Sequence, residues 1–238
     1  MKIIVLKFGG TSIGSIHRIK KVARIVKSYT KKYKVIILSS AMSGTTNKLI
    51  NMSKKISKNF ADNEYDTLVS AGEQISCSLL AGQLLAYGIK SKSWMAWQIP
   101  IITEGQHKYS RIKYIYKKRI LKFLNTGGVP VIAGFQGINK DLKITTIGRG
   151  GTDASAIMFA KFFKADRCVI YTDVEGIFTT DPNKLKKAKK IKNISYEEML
   201  EMASLGSKVM QPHSIQDARL NRINIEVKSS FLNKSGTL

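Results

Sequence analysis

Short unbroken apolar runs alternate along this chain with longer stretches whose apolar residues recur at helical spacing. The run from Ile3 to Leu6 predicts a strand over 2–8, and the face formed by Ile16, Ile19, Val22, Ala23 and Val26 predicts a helix over 15–32. A second continuous run predicts a strand over 34–38, as expected where both faces of a sheet are covered. Helices follow over 47–58 and 62–87, the latter with Leu68, Ile75, Leu79 and Leu80 recurring, and short strands over 89–95 and 101–103. Ile112, Ile115, Tyr116, Ile120 and Phe123 suit a helix across 112–124, stopped by Gly127, Gly128 and Pro130. Further strands are predicted over 129–135, 143–147, 167–172 and 223–229, with a hairpin near 177–180 and helices over 153–164, 195–203 and 208–221. Alternation of this kind predicts a three-layer α/β/α sandwich with a central, mainly parallel sheet.

Composition narrows the picture. With 238 residues, 43% of them hydrophobic, the chain can bury a sizeable core without staples. Cys77 and Cys168 are far apart in sequence and belong to no C-x-x-C pair, which fits two buried thiols in a reducing cytoplasm better than a disulfide or zinc framework. No apolar stretch approaches the roughly 18 residues of a membrane span, or the about 7 to 15 of a signal-peptide core. The chain therefore reads as soluble and unexported, with no internal repeat. Its formal charge of +24 invites a nucleic-acid reading, but only 8 of the 40 basic residues are Arg and they are scattered. A solvated, Lys-rich surface accounts for them, with the lysines between 184 and 192 as a solvated loop or a basic flap near phosphates.

The chemistry gathers at glycine-bearing bends. Lys7-Phe8-Gly9-Gly10-Thr11-Ser12 empties the first strand into paired glycines, whose N–H groups can point at an anion beside a mobile ammonium. It matches neither a Walker A loop nor G-x-G-x-x-G, and alone it would serve equally as an ordinary turn. In Gly148-Arg149-Gly150-Gly151-Thr152-Asp153 the glycines allow close backbone approach. Arg149 offers a planar fork for a carboxylate, and Asp153 opens a helix. A surface ion pair and a plain N-cap are the structural alternatives for those two residues.

These two motifs occur in order with Ser70-Ala71-Gly72-Glu73, Tyr171-Thr172-Asp173-Val174-Glu175-Gly176, Thr179-Thr180-Asp181-Pro182 and Ala203-Ser204-Leu205-Gly206-Ser207-Lys208-Val209. In that order and spacing the chain resembles the catalytic domain of aspartate kinases from end to end. The resemblance implies the amino acid kinase fold, carbamate-kinase-like, with an aspartate-binding lobe over about 1–140 and a nucleotide-binding lobe over about 141–238. It implies Lys7 and Asp153 as catalytic residues, and Ser40, Thr46, Glu73, Phe135, Arg149 and Thr152 on the substrate. Of these, Glu73 would take the ammonium and Arg149 the α-carboxylate. For ATP it implies Lys7, Phe8, Gly9 and Gly10 at the phosphates, with Thr172, Asp173, Phe178, Asn183 and Lys208 about the nucleotide.

The implied reaction is transfer of the ATP γ-phosphoryl group to the β-carboxylate of L-aspartate. Magnesium would be held mainly by nucleotide and water, with no dedicated protein site. A carboxylate is ionised near neutral pH, so none of His17, His107 and His213 is needed as a base. Departures from the family pattern are Asn183 for Arg, Phe178 for Tyr, Glu175 for Asp and Gln211 for His. Asn183 removes one bidentate phosphate contact. Relatives usually continue into paired ACT regulatory domains, so the expectation is an aspartate kinase without that feedback module. Another amino acid kinase acting on glutamate or acetylglutamate, and a basic nucleic-acid-binding protein on a degenerate kinase fold, remain as alternatives. The sequence leaves the oligomeric state open, a homodimer included.

Overall fold

The structure is a computed structural model and describes residues 1–182, 184–207 and 209–238. The opening apolar run forms β1 (Ile3–Phe8), which lies in the interior of a sheet with β2 (Lys34–Ser39), β3 (Ser91–Trp94), β6 (Val129–Ala133), β9 (Arg167–Thr172) and β10 (Ile225–Ser229). Its order is β10-β9-β1-β2-β6-β3, and every pairing is parallel. Parallel strands need crossovers, which helices supply. Because successive side chains point to opposite faces, β1 sends Ile4, Leu6 and Phe8 into one apolar layer and Val5 into the other.

The first layer is closed by α1 (Ile16–Thr30) and α3 (Asp62–Ala86), and the second by α4 (Lys118–Asn125), α5 (Gly151–Phe162), α6 (Tyr196–Ser204) and α7 (Pro212–Asn221). The three-layer sandwich with a parallel central sheet is therefore as the alternation predicts.

A second, smaller sheet was not foreseen. It orders β5 (Arg111–Ile115), β4 (Ile101–Glu104), β7 (Gln136–Ile138) and β8 (Ile144–Thr146) in mixed directions. The predicted helix over 112–124 is thus a strand followed by the shorter α4. The register slips between Ile102 and Thr103, and this bulge lets both Ile112 and Ile115 face the core at a spacing that mimics a helix. α3 also turns differently from its apolar pattern: Ile75 and Leu79 are exposed, while the buried face carries Asp66, Ser70, Gly72, Glu73, Ser76 and Cys77. Ile16 likewise faces solvent. α7 begins at Pro212, four residues later than predicted, and α2 (Thr45–Ile56) starts slightly earlier. No helix among the described residues is long and apolar enough to cross a membrane.

Candidate active site

The strand parity that sends Phe8 into the α1 layer sends Lys7 to the other face, beside the start of α5. There Lys7 Nζ meets Asp153 Oδ1 at 2.7 Å, both residues buried. Asp153 lies in the first turn of α5, whose N-cap Gly150 has φ +70°, a conformation that favours glycine. A Cβ on Gly150 would also come within 2.5 Å of Gln211 Cγ, and one on Gly151 within 2.7 Å of the Phe135 ring. The loop from Gly148 to Asp153 can thus take this path only with glycines at those points.

Around the pair opens a cavity of about 790 Å³. Its wall contains Lys7, Gly10, Ser40, Thr46, Glu73, Phe135, Arg149, Thr152 and Asp153, so every residue expected on the acceptor side and both expected catalytic residues converge. β2 ends at Ser39 and delivers Ser40 to the rim, where Ser76 Oγ donates to the Ser40 carbonyl at 2.5 Å. α2 starts from Gly44 without a side-chain cap and turns its second and third residues, Thr46 and Asn47, toward the cavity. Helix N-termini of this kind favour anions. Phe135, between β6 and β7, has φ +64°. Its N–H is accepted by Ser155 Oγ and its carbonyl accepts from Ile147.

Glu73 projects from the buried face of α3 and is nearly inaccessible. Its Oε1 accepts from Ala41 N–H at 3.0 Å, while Oε2 has no hydrogen-bond partner among the described residues. Burial raises its pKa to about 8, against the lowering effect of the Ala41 amide. An unpaired carboxylate oxygen of this kind calls for a cation.

The expected phosphate loop, from Lys7 to Ser12, departs from expectation in two details. The Gly9 N–H donates to the Tyr171 carbonyl at 3.1 Å, extending the β1 ladder, so it is not free for a ligand. Phe8 is core, stacked on Tyr171 with ring centroids 4.9 Å apart, and does not reach the cavity. Gly10 does line the cavity, and its N–H has no acceptor among the described residues. A Cβ on Gly10 would lie 2.8 Å from the Ala41 carbonyl.

Thr172, Asp173 and Phe178 lie apart from this cavity, at and beyond the C-terminal end of β9. The Gly9–Tyr171 bond places that strand end beside the Gly9–Gly10 bend. The Thr172 hydroxyl donates to Asp173 Oδ1, and Phe178 bridges Lys190 through its backbone. Asn183 and Lys208 lie outside the described residues.

Sequence reasoning missed Tyr65, Lys108, Tyr109 and Thr146, which also line the cavity. Tyr65 comes from α3, and Lys108, Tyr109 and Thr146 come from the β4–β5 connection and β8, where the small sheet brings them to the cavity.

Residues 2–229 match the Amino acid kinase family. The chain is 47% identical over 239 residues to the aspartokinase of Geobacillus stearothermophilus, covering all of this chain and 59% of that protein. Among solved structures, aspartate kinase from Synechocystis superposes with a TM-score of 0.87 at 38% identity, covering 98% of this chain and 39% of that one. E. coli aspartokinase III, in complex with aspartate and ADP, superposes at 0.89 with 27% identity, covering 99% and 64%. The chain belongs to the amino acid kinase family. It spans about three fifths of the length of the curated aspartokinases it matches.

Proposed function

We propose that the chain carries the phosphoryl-transfer site of an aspartate kinase, which converts L-aspartate and ATP to 4-phospho-L-aspartate and ADP at the head of lysine, threonine and methionine synthesis. The observation that carries this reading is the charge set of one cavity. The exposed Arg149 guanidinium and the unpaired Glu73 oxygen complement the α-carboxylate and the ammonium of aspartate, and the Lys7 ammonium complements the phosphoryl group that the β-carboxylate attacks. The likeness to proteins named aspartokinase, one of them solved with aspartate and ADP, supports the same acceptor and nucleotide.

In this reading a β-carboxylate oxygen attacks the γ-phosphorus, and the bond to the bridging β–γ oxygen breaks as ADP leaves. No proton moves, so rate enhancement comes from positioning and from neutralising the phosphoryl charge. Lys7 supplies that charge, Asp153 holds its ammonium in place, and the Gly10 N–H and the start of α2 present donors to phosphate oxygens. Ser40, Thr46, Thr152 and Phe135 shape the acceptor side. Thr172, Asp173 and Phe178 form the nucleotide shelf, with Asn183 and Lys208 as further nucleotide contacts. This divides the chain into an acceptor lobe over about 1–140 and a nucleotide lobe over about 141–238, the Arg149 loop reaching across from the second to the first.

Magnesium, when bound, neutralises phosphate charge. Among the described residues no three His, Cys, Asp or Glu side chains gather to hold a metal, and Asp153 is already engaged by Lys7. The nucleotide and water would carry the ion. Both cysteines are buried and unpaired, in keeping with a cytoplasmic enzyme. A hydroxamate assay for acyl phosphate, run with aspartate, glutamate and acetylglutamate, tests the reading. Aspartate-dependent product is expected, and preference for either other acceptor would overturn it.

A further inference from the structure

Asp66, near the start of α3, is a fully buried carboxylate that the proposed chemistry does not use. Three donors converge on it: Thr146 Oγ1 from β8 at 2.6 Å, His107 Nδ1 at 2.6 Å and the Lys108 backbone N–H at 3.1 Å. The first bond ties α3 to the small sheet. The other two go to the connection between β4 and β5, where Lys108 has φ +68°, and a fixed partner is needed to hold a non-glycine residue in that conformation.

That connection is also the support of the Arg149 turn. Gly148 packs directly on it, since a Cβ there would lie 3.1 Å from the Lys108 carbonyl and 3.4 Å from the Tyr109 ring. Ser110 closes the segment from both ends, its N–H donating to the Thr146 carbonyl and its hydroxyl to the Gln106 carbonyl. Lys108 and Tyr109 face the cavity together with Arg149, and the Lys108 ammonium is itself tethered to Asp62. A plain structural link between α3 and β8 requires one hydrogen bond, and a buried carboxylate is a costly way to make it. Two of the three bonds serve only the segment beneath Gly148.

We infer that Asp66 is a positioning residue for the acceptor subsite: it fixes the 105–110 segment and, through the contact of Lys108 and Tyr109 with Gly148, the placement of Arg149. The inference rests on the reading of Arg149 as the clamp on the acceptor carboxylate. Its signature is selective for one substrate, because Lys108 and Tyr109 line the cavity with Arg149, whereas Thr172, Asp173 and Phe178 are not part of that wall.

Asp66→Asn preserves volume but replaces one acceptor oxygen with a donor facing other donors. His107→Ala removes one loop bond from a half-buried position and leaves the core intact. For Asp66→Asn the expected result is a rise in aspartate KM of about tenfold, the size of one charge-assisted hydrogen bond. A smaller rise is expected for His107→Ala, with ATP KM unchanged in both and faster amide exchange across 105–110. Equal rises in both KM values, or faster exchange with an unchanged aspartate KM, would overturn it. If the parent turns over glutamate instead, the functional reading falls, and the same ratio measured with glutamate decides the role of Asp66 by itself.

Discussion

Lys7, at the end of β1, and Asp153, in the first turn of α5, form an ion pair of 2.7 Å at the wall of the main cavity, with each residue less than a tenth exposed. Desolvated charges of this kind are costly one at a time, and removing one partner strands the other. A pair kept here, where an apolar pair would pack as well, is therefore better explained by chemistry than by stability.

Lys7→Ala should consequently fail in two ways. Turnover should fall by at least about a hundredfold, as expected for loss of a group aimed at transition-state charge, while aspartate affinity stays nearly intact. Stability should fall by about 3 kcal/mol because Asp153 is left unpaired, and the double variant Lys7→Ala/Asp153→Ala should lose less than the two single losses combined. Urea unfolding of the four proteins gives the coupling. Additive losses, or a variant as active as the parent, would refute the assigned role.

Glu73 makes the site pH-dependent. Its pKa is about 8 in the folded chain against 4.5 when exposed, so between those values the folded state holds a proton that the unfolded state has released. The stabilising contribution is complete below about pH 4.5 and is lost as pH rises toward 8, at up to about 1.4 kcal/mol per unit. An aspartate ammonium reverses the preference, because it requires the ionised form. Aspartate affinity should therefore increase about tenfold per pH unit from 6 to 8 and then level off, with release of about one proton on binding. Calorimetry in buffers of different ionisation enthalpy measures that proton, and Glu73→Gln should abolish both the slope and the release. A flat profile in the parent would contradict the placement of the ammonium at Glu73.

Two glycines predict opposite signs for one substitution. Gly10→Ala forces a Cβ to 2.8 Å from the Ala41 carbonyl, where two backbone segments of the site touch, so it should destabilise by about 1 to 3 kcal/mol and depress turnover. Gly82 lies in the exposed interior of α3 with nothing near its missing Cβ. Gly82→Ala should stabilise by roughly 0.5 to 1 kcal/mol and leave activity unchanged. Thermal melts alongside the hydroxamate assay separate the two. A neutral Gly10→Ala would show that the phosphate loop has slack that this close approach denies.

Most of the sandwich was legible because its signal is local. Continuous apolar runs mark β1, β2, β6 and β9 of the parallel sheet, and the residues of both glycine motifs sit where β1 ends and α5 begins. The small sheet was not legible, because β7 and β8 have only three residues each and the bulge in β5, opposite Ile102 and Thr103, gives that strand a helical spacing. What that sheet carries went unseen with it: Lys108, Tyr109 and Thr146 have no motif of their own and reach the cavity through tertiary pairing. α3 misled in another way. Its buried face holds Asp66, Ser70 and Glu73 beside Val69, Leu80 and Leu84, so apolar periodicity found Leu80 but put Ile75 and Leu79, which are exposed, on the inner face. The commitment of the Gly9 amide to Tyr171 depends on β9 lying next to β1, which the order of elements along the chain does not reveal.

The formal charge of +24 should act on substrate capture rather than on chemistry. Lys7, Lys108 and Arg149 line the cavity against Glu73 and Asp153, and the whole chain carries 40 basic residues to 16 acidic ones, so an approaching ATP anion should meet an attractive field over about a Debye length, roughly 10 Å at 0.1 M salt. Raising salt from about 50 to 500 mM contracts that length about threefold and should raise the ATP KM severalfold. The Lys7–Asp153 contact is buried and little screened, so kcat should change less than twofold. RNA should compete with ATP weakly at low salt and lose that competition over the same range. Steady-state kinetics across the salt series, with and without RNA, checks all three. Tight RNA binding with no ATP turnover at any salt would instead make the charge the function and the kinase motifs its relic, and the intact Lys7–Asp153 pair is the structural reason to expect the opposite.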